Sequence, residues 1–179
     1  MALSASGAPK ATIADLEAMP DDGKRYELIS GSIVMTPSPV TVHQRVSGRL
    51  YVKLVAACPP DHEVFDAPID YDLPNGDRVV PDLIVVPDAS VGVKRLKGPA
   101  LLVVEILSRR SGHIDRVLKR TAYAQACVLA YWIIDPVRHH VLALRLVDGE
   151  YEVYADTDGP VAFEWPLAVS FSVAELARP

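Results

Sequence analysis

The chain predicts a mixed α/β (α+β) fold, a single domain in which helices flank a mixed β-sheet. Three observations predict it. Half of the residues are hydrophobic and only 23% are charged, enough apolar surface for a core of ordinary size. Apolar residues recur at helical spacing between Val40 and Ala57, whereas Val79–Val86, Leu101–Leu107 and Ala130–Ile134 are short, β-rich runs. The resulting order is helix, hairpin, long helix, several strands, helix, strands, with no repeat or low-complexity linker to divide it.

Residues 1–10 are small and polar and read as a flexible N-terminal arm, leaving 11–179 as the domain. Thr12 with Asp15 is a capping pair for a short helix that ends near Met19-Pro20. Arg25–Ser30 alternates as a strand, with Glu27 and Ile29 on one side, and turns through Gly31-Ser32 into a second strand, Ile33–Thr36. Val42, Val46, Leu50, Leu54 and Val55 form the stripe of the long helix, with His43, Ser47 and Arg49 beside or across from it. Strand-like residues at 64–65 and 68–73 lead to the turn Pro74-Asn75-Gly76-Asp77, and Val79–Val86 reads as one strand on which Asp82, Ile84 and Val86 share a face. After a polar loop comes the apolar run from Leu101, then a helix with Ile114, Val117, Leu118 and Tyr123 as its apolar face. Ala130–Ile134 is a fully apolar strand, 141–147 and 151–155 pair across Asp148-Gly149, Val161–Trp165 adds an edge, and Ser172 with Glu175 caps a last helix.

The net charge of −5 carries no basic surplus of the kind a nucleic-acid binder usually shows. The two cysteines, Cys58 and Cys127, make no metal pattern and read as buried free thiols. Neither a signal peptide nor a transmembrane span is visible, so the expected location is cytoplasmic.

Three carboxylates, Glu27, Asp82 and Glu105, stand in apolar strands, where a charge requires a partner. A pair of carboxylates plus waters is the usual protein contribution to a magnesium site. Lys119, on the helix that follows Glu105, supplies a positive charge that can hold water or offset charge on a phosphoryl oxygen. These parts suit metal-assisted hydrolysis of a phosphodiester. Each also has a structural reading: Glu105 as a buried ion-pair partner, Asp82 as a turn residue, Glu27 as a partner of Arg25, Lys119 as a solvated charge, and Asp115 as the i,i+4 partner of Lys119. His43 is a satisfied helix histidine or, reaching Glu27, a group that orients it. Tyr123, Tyr131 and Trp132 read as core. Arg109, Arg110, Arg116 and Arg120 cluster beside Lys119 and are the candidate phosphate contacts.

Pro81-Asp82, Glu105 on the following long strand and a subsequent lysine resemble the PD-(D/E)XK nuclease superfamily. The lysine usual two positions after the Glu is Leu107 here. The wider pattern resembles the Uma2 (DUF820) branch, in which the helix supplies the lysine. The matching residues are Tyr26-Glu27-Leu28-Ile29-Ser30-Gly31, Pro37-Ser38-Pro39 with His43-Gln44, Pro81-Asp82-Leu83, Val104-Glu105-Ile106-Leu107-Ser108, Asp115, Lys119, Tyr123 and Tyr131-Trp132-Ile133-Ile134-Asp135-Pro136. The resemblance implies a restriction-endonuclease-like core and a magnesium- or manganese-dependent DNA endonuclease. In it Asp82 and Glu105 are metal ligands, Lys119 the catalytic lysine and Glu27 an accessory acid; apart from the resemblance, His43 and Asp115 read as accessory candidates that orient the site. The alternative is a catalytically degenerate scaffold or nucleic-acid-binding module. The chain departs from the family pattern at Ser108-Arg109-Arg110-Ser111, at Cys127 (commonly Gly) and at Ala130 (commonly acidic). Apolar edge strands and the Tyr131-Trp132 strand suggest a homodimer.

Overall fold

The computed structural model describes residues 10–36, 38–108 and 114–179, with side chains for all but 114–116. Most of the proposed arm, together with Arg109 and Arg110, therefore lies outside the described residues. The elements in chain order are α1 (Ile13–Glu17), β1 (Arg25–Ile29), β2 (Ser32–Thr36), α2 (Thr41–Ala57), β3 (His62–Asp66), β4 (Tyr71–Asp72), β5 (Arg78–Val79), β6 (Leu83–Pro87), β7 (Leu96–Lys97) and β8 (Leu102–Ile106). A π-helical turn (Ile114–Lys119) then runs into α3 (Arg120–Gln125), followed by β9 (Ala130–Asp135), β10 (His140–Val147), β11 (Glu150–Thr157), β12 (Val161–Phe163), β13 (Val169–Phe171) and α4 (Val173–Ala177).

Among the described residues the strands form a six-stranded sheet in the order β11-β10-β9-β8-β6-β3, a five-stranded sheet β2-β1-β5-β4-β7 and the pair β12-β13. Both larger sheets are mixed: β8 runs parallel to β9, and β4 parallel to β7, among antiparallel neighbours. Side-chain alternation divides the six-stranded sheet between two cores. Leu83, Val85, Leu102, Val104 and Trp132 face α2, α4 and the β12-β13 pair; Ile84, Val86, Val103, Tyr131 and Ile133 face α3 and the second sheet. Asp82 and Glu105 share the parity of this second face.

The β1–β2 hairpin turns through Ser30 and Gly31, both at positive φ (53° and 76°), and Ile29 pairs with Ser32. The primed turn matches the twist of the strands. A side chain at Gly31 would lie 2.7 Å from Lys10 Cβ, so glycine also admits the segment that bonds there, Ala11 N to Gly31 O. Both capping pairs form: Thr12 accepts from Asp15 N, and Ser172 from Glu175 N. Arg49 Nη1 donates to three carbonyls at the end of α4, Glu175, Leu176 and Arg178, and Arg45 to Ala177, which fastens α4 to α2.

Several expectations are corrected. Val79–Val86 is two strands in two sheets; Val80-Pro81-Asp82 carries the chain from one to the other, and Pro81 lacks the N–H a continuous ladder would need. The buried stripe of α2 is His43, Val46, Ser47, Leu50 and Leu54, with Val55 exposed. From the end of the π turn through the C-cap of α3 the buried positions are Lys119, Ala122, Tyr123 and Ala126, whereas Val117, within the π turn, is exposed. Trp132 and Tyr131 are 0% exposed on β9, an interior strand, so they offer no dimer surface. Val161–Trp165 contributes only β12, which pairs with the unforeseen β13. Cys58 is half-buried and Cys127 exposed, not buried thiols. No helix among the described residues is long and apolar enough to cross a membrane.

Cys127 follows the end of α3 with φ of 57°, while Val128 N donates to Tyr123 O and seals the helix end. This left-handed position favours glycine. Cys127→Gly is accordingly expected to raise stability by about 1 kcal/mol, seen as a melting temperature about 2–4 °C higher in a thermal scan.

Candidate active site

Glu27 stands on β1, in the five-stranded sheet, and its register partner across the hairpin is Val34. Glu105 stands near the end of β8, in the six-stranded sheet. The register Leu83–Val104 and Ile84–Val103, continued by one residue, sets Asp82 opposite Glu105. The π turn delivers Lys119 between the two sheets. Its ammonium nitrogen lies 2.9 Å from Glu27 Oε1 and 2.9 Å from Glu105 Oε1. All three residues are 2–3% exposed.

Each carboxylate is held by further donors. Glu27 Oε1 accepts from Val80 N at 2.8 Å and Glu27 Oε2 from the Thr36 hydroxyl at 2.9 Å. Glu105 Oε1 accepts from the Tyr123 hydroxyl at 2.7 Å. Tyr123 follows Lys119 by four residues, so one helix face presents both donors to one oxygen. Burial first, then the neighbouring Glu105 charge, pushes the Tyr123 phenol well above its ordinary range, which keeps it a donor.

Asp82 Oδ2 accepts from Ile106 N at 2.8 Å and lies 3.0 Å from His43 Nε2, in the first turn of α2. Burial alone would raise the Asp82 carboxyl. The His43 hydrogen bond and charge, the Ile106 N–H and the Lys119 charge outweigh it, and the net direction is down, toward the ionised form. Arg25, two residues before Glu27 on the same face of β1, brings a guanidinium nitrogen to 3.8 Å from Asp82 Oδ1. Among the described residues, these three carboxylates face the cations Lys119 and Arg25.

The structure brings together Glu27, Asp82, Glu105, Lys119 and His43. His43 reaches Asp82 rather than Glu27, and Arg25 approaches Asp82 while Lys119 takes Glu27. Arg120 Nη2 donates to Tyr151 O at 2.8 Å, anchoring α3 to β11. Arg109 and Arg110, and the side chains of Asp115 and Arg116, lie outside the described residues. Tyr123, Thr36 and Arg25 were not singled out from sequence as site residues. For Tyr123 the signal was its spacing from Lys119, and for Arg25 its parity with Glu27.

Among the described residues, no group of three or more His, Cys, Asp and Glu side chains is placed to hold a metal ion. A two-carboxylate site is a different requirement. Magnesium takes one or two protein carboxylates and keeps several waters. Asp82, just ahead of β6, and Glu105, on β8, are two oxygen donors set opposite one another by the strand register, and such a donor set fits that cation.

No curated protein matches the chain. Among solved structures it is similar to one described as "a putative nuclease belonging to DUF820 from Anabaena variabilis ATCC 29413", with 19% identity, a TM-score of 0.73 and coverage of 93% of this chain and 97% of that one. That likeness establishes the mixed α+β fold. The family model Uma2, described as "Putative restriction endonuclease", matches residues 13–174. The match spans all of the site residues described above, from Arg25 to Tyr123, and the chain belongs to the Uma2 family.

Proposed function

We propose that this chain is a metal-dependent endonuclease that hydrolyses phosphodiester bonds of DNA. The observation that carries the reading is the Lys119 ammonium held between Glu27 and Glu105, with Asp82 in register across from Glu105. Hydrolysis adds water across a P–O bond: the water oxygen bonds to phosphorus, the bond to one sugar oxygen breaks, the water loses a proton and the departing oxygen gains one. Magnesium or manganese, held by Asp82 and Glu105, would supply charge neutralisation at the phosphate and acidify water.

The chain's own residues do the rest. Lys119 orients the attacking water and offsets charge on the phosphoryl oxygens. Glu27, fixed by Thr36 and Val80 N, holds that ammonium in place. Tyr123 holds Glu105 in one orientation, and His43 with Ile106 N does the same for Asp82. Arg109, Arg110 and Arg116 are the proposed phosphate contacts, Arg120 serving to anchor the helix that carries Lys119. A second reading, a nuclease-fold scaffold or nucleic-acid-binding module without chemistry, is favoured by the near-complete enclosure of Lys119, Glu27 and Glu105. It predicts no nicking by wild type and unaltered DNA affinity in Asp82→Asn.

Asp82→Asn and Glu105→Gln are each expected to lower magnesium- or manganese-dependent plasmid nicking by about 100-fold or more while the protein stays folded by circular dichroism. Full nicking by either variant would sink the assignment. Lys119→Met is expected to abolish nicking and to cost about 3–5 kcal/mol in chemical denaturation, because two buried carboxylates lose their cation. Adding Glu27→Gln to Lys119→Met should recover part of that stability and none of the activity.

A further inference from the structure

The two oxygens of Asp82 are in unlike surroundings. Oδ2 is occupied by two donors, His43 Nε2 at 3.0 Å and Ile106 N at 2.8 Å. Oδ1 meets, among the described residues, only the Arg25 guanidinium at 3.8 Å, within ion-pair range and beyond a hydrogen bond. The two cations of the site differ in the same way. The Lys119 side chain is 4% exposed and held by two carboxylates, whereas the Arg25 side chain is 24% exposed at the first residue of β1. A long side chain at a strand end can change partners without disturbing the sheet. A guanidinium, planar and permanently charged, pairs with phosphate oxygens in the same forked manner as with a carboxylate.

We propose that Arg25 and the metal ion compete for one oxygen, Asp82 Oδ1, and that Arg25, displaced from it, holds a phosphate oxygen of the DNA at the mouth of the site. The inference rests on the nuclease reading and assigns a positioning and substrate-binding role to a residue outside the acid–lysine set. It carries a crossed consequence. A guanidinium within about 5 Å of a dication in a water-like dielectric opposes its binding by about tenfold, so removing Arg25 strengthens metal binding while it weakens DNA binding.

The test measures manganese affinity by the electron paramagnetic resonance of free Mn2+, and duplex affinity by fluorescence anisotropy in Ca2+, for wild type, Arg25→Met, Arg25→Gln, Arg25→Lys and Asp82→Asn, each checked by thermal unfolding. The two neutral variants are expected to bind Mn2+ about tenfold more tightly and duplex DNA about tenfold more weakly. Arg25→Lys, which keeps the charge, should stay within about twofold of wild type for Mn2+. Unchanged Mn2+ affinity in both neutral variants, with binding lost in Asp82→Asn, overturns the competition and leaves the nuclease reading standing. Unchanged DNA affinity in both overturns the phosphate role. Wild-type Mn2+ affinity in Asp82→Asn overturns the metal assignment itself, and the inference falls with it.

Discussion

The site depends on one buried cation. The Lys119 ammonium is shared by Glu27 from one sheet and Glu105 from the other, so a single nitrogen spans the seam between them. Burying charges is costly, and their mutual attraction offsets that cost only when the remaining hydrogen-bonding capacity is also satisfied. The surrounding structure meets that condition. Val80 N and Thr36 serve Glu27, and Tyr123 serves Glu105. The placement of β1 beside β5, the crossing at Val80-Pro81-Asp82 and the seating of α3 all act on the same few atoms.

The polar arrangement also explains which face of each element is buried. His43 lies in the inward stripe of α2, where a hydrophobicity pattern does not assign it, because the first turn of that helix leans over Asp82. Lys119 displaces Val117 from the buried face of its helix for the same reason. In both helices a polar side chain with a partner across the interface, His43 or Lys119, joins the apolar residues on the inward face.

Local features were readable from sequence: the two capping pairs, the turn at Asp148-Gly149, the long helix and the largely apolar β8 and β9, whereas the first hairpin turns one residue earlier than the expected Gly31-Ser32, at Ser30-Gly31. Asp82 and Glu105 were legible as candidates, because a carboxylate in an otherwise apolar run stands out against its neighbours. What was not readable depends on contacts distant in sequence. The run from Val79 to Val86 carries no internal break other than Pro81, and its division between two sheets follows from pairing with β1 and β4 on one side and β3 and β8 on the other. Tyr123 reads as core by composition, and only the position of Glu105 across the interface makes its hydroxyl a member of the site. Cys127 reads as one more apolar residue until its backbone angle is known.

The π-helical turn of Ile114–Lys119 gives the lysine a further property. A π turn is an α-helix that has accepted one extra residue, and such insertions are frequent at functional sites. Each residue in an α-helix advances the side chains by about 100° around the axis. The direction in which Lys119 points is therefore set by residue number upstream as much as by its own identity. Sequences that differ by a single insertion or deletion in this turn would present a different position to Glu105. In an alignment of relatives, the lysine that meets Glu105 need not occupy one column, although Glu27 and Glu105, carried on strands, would.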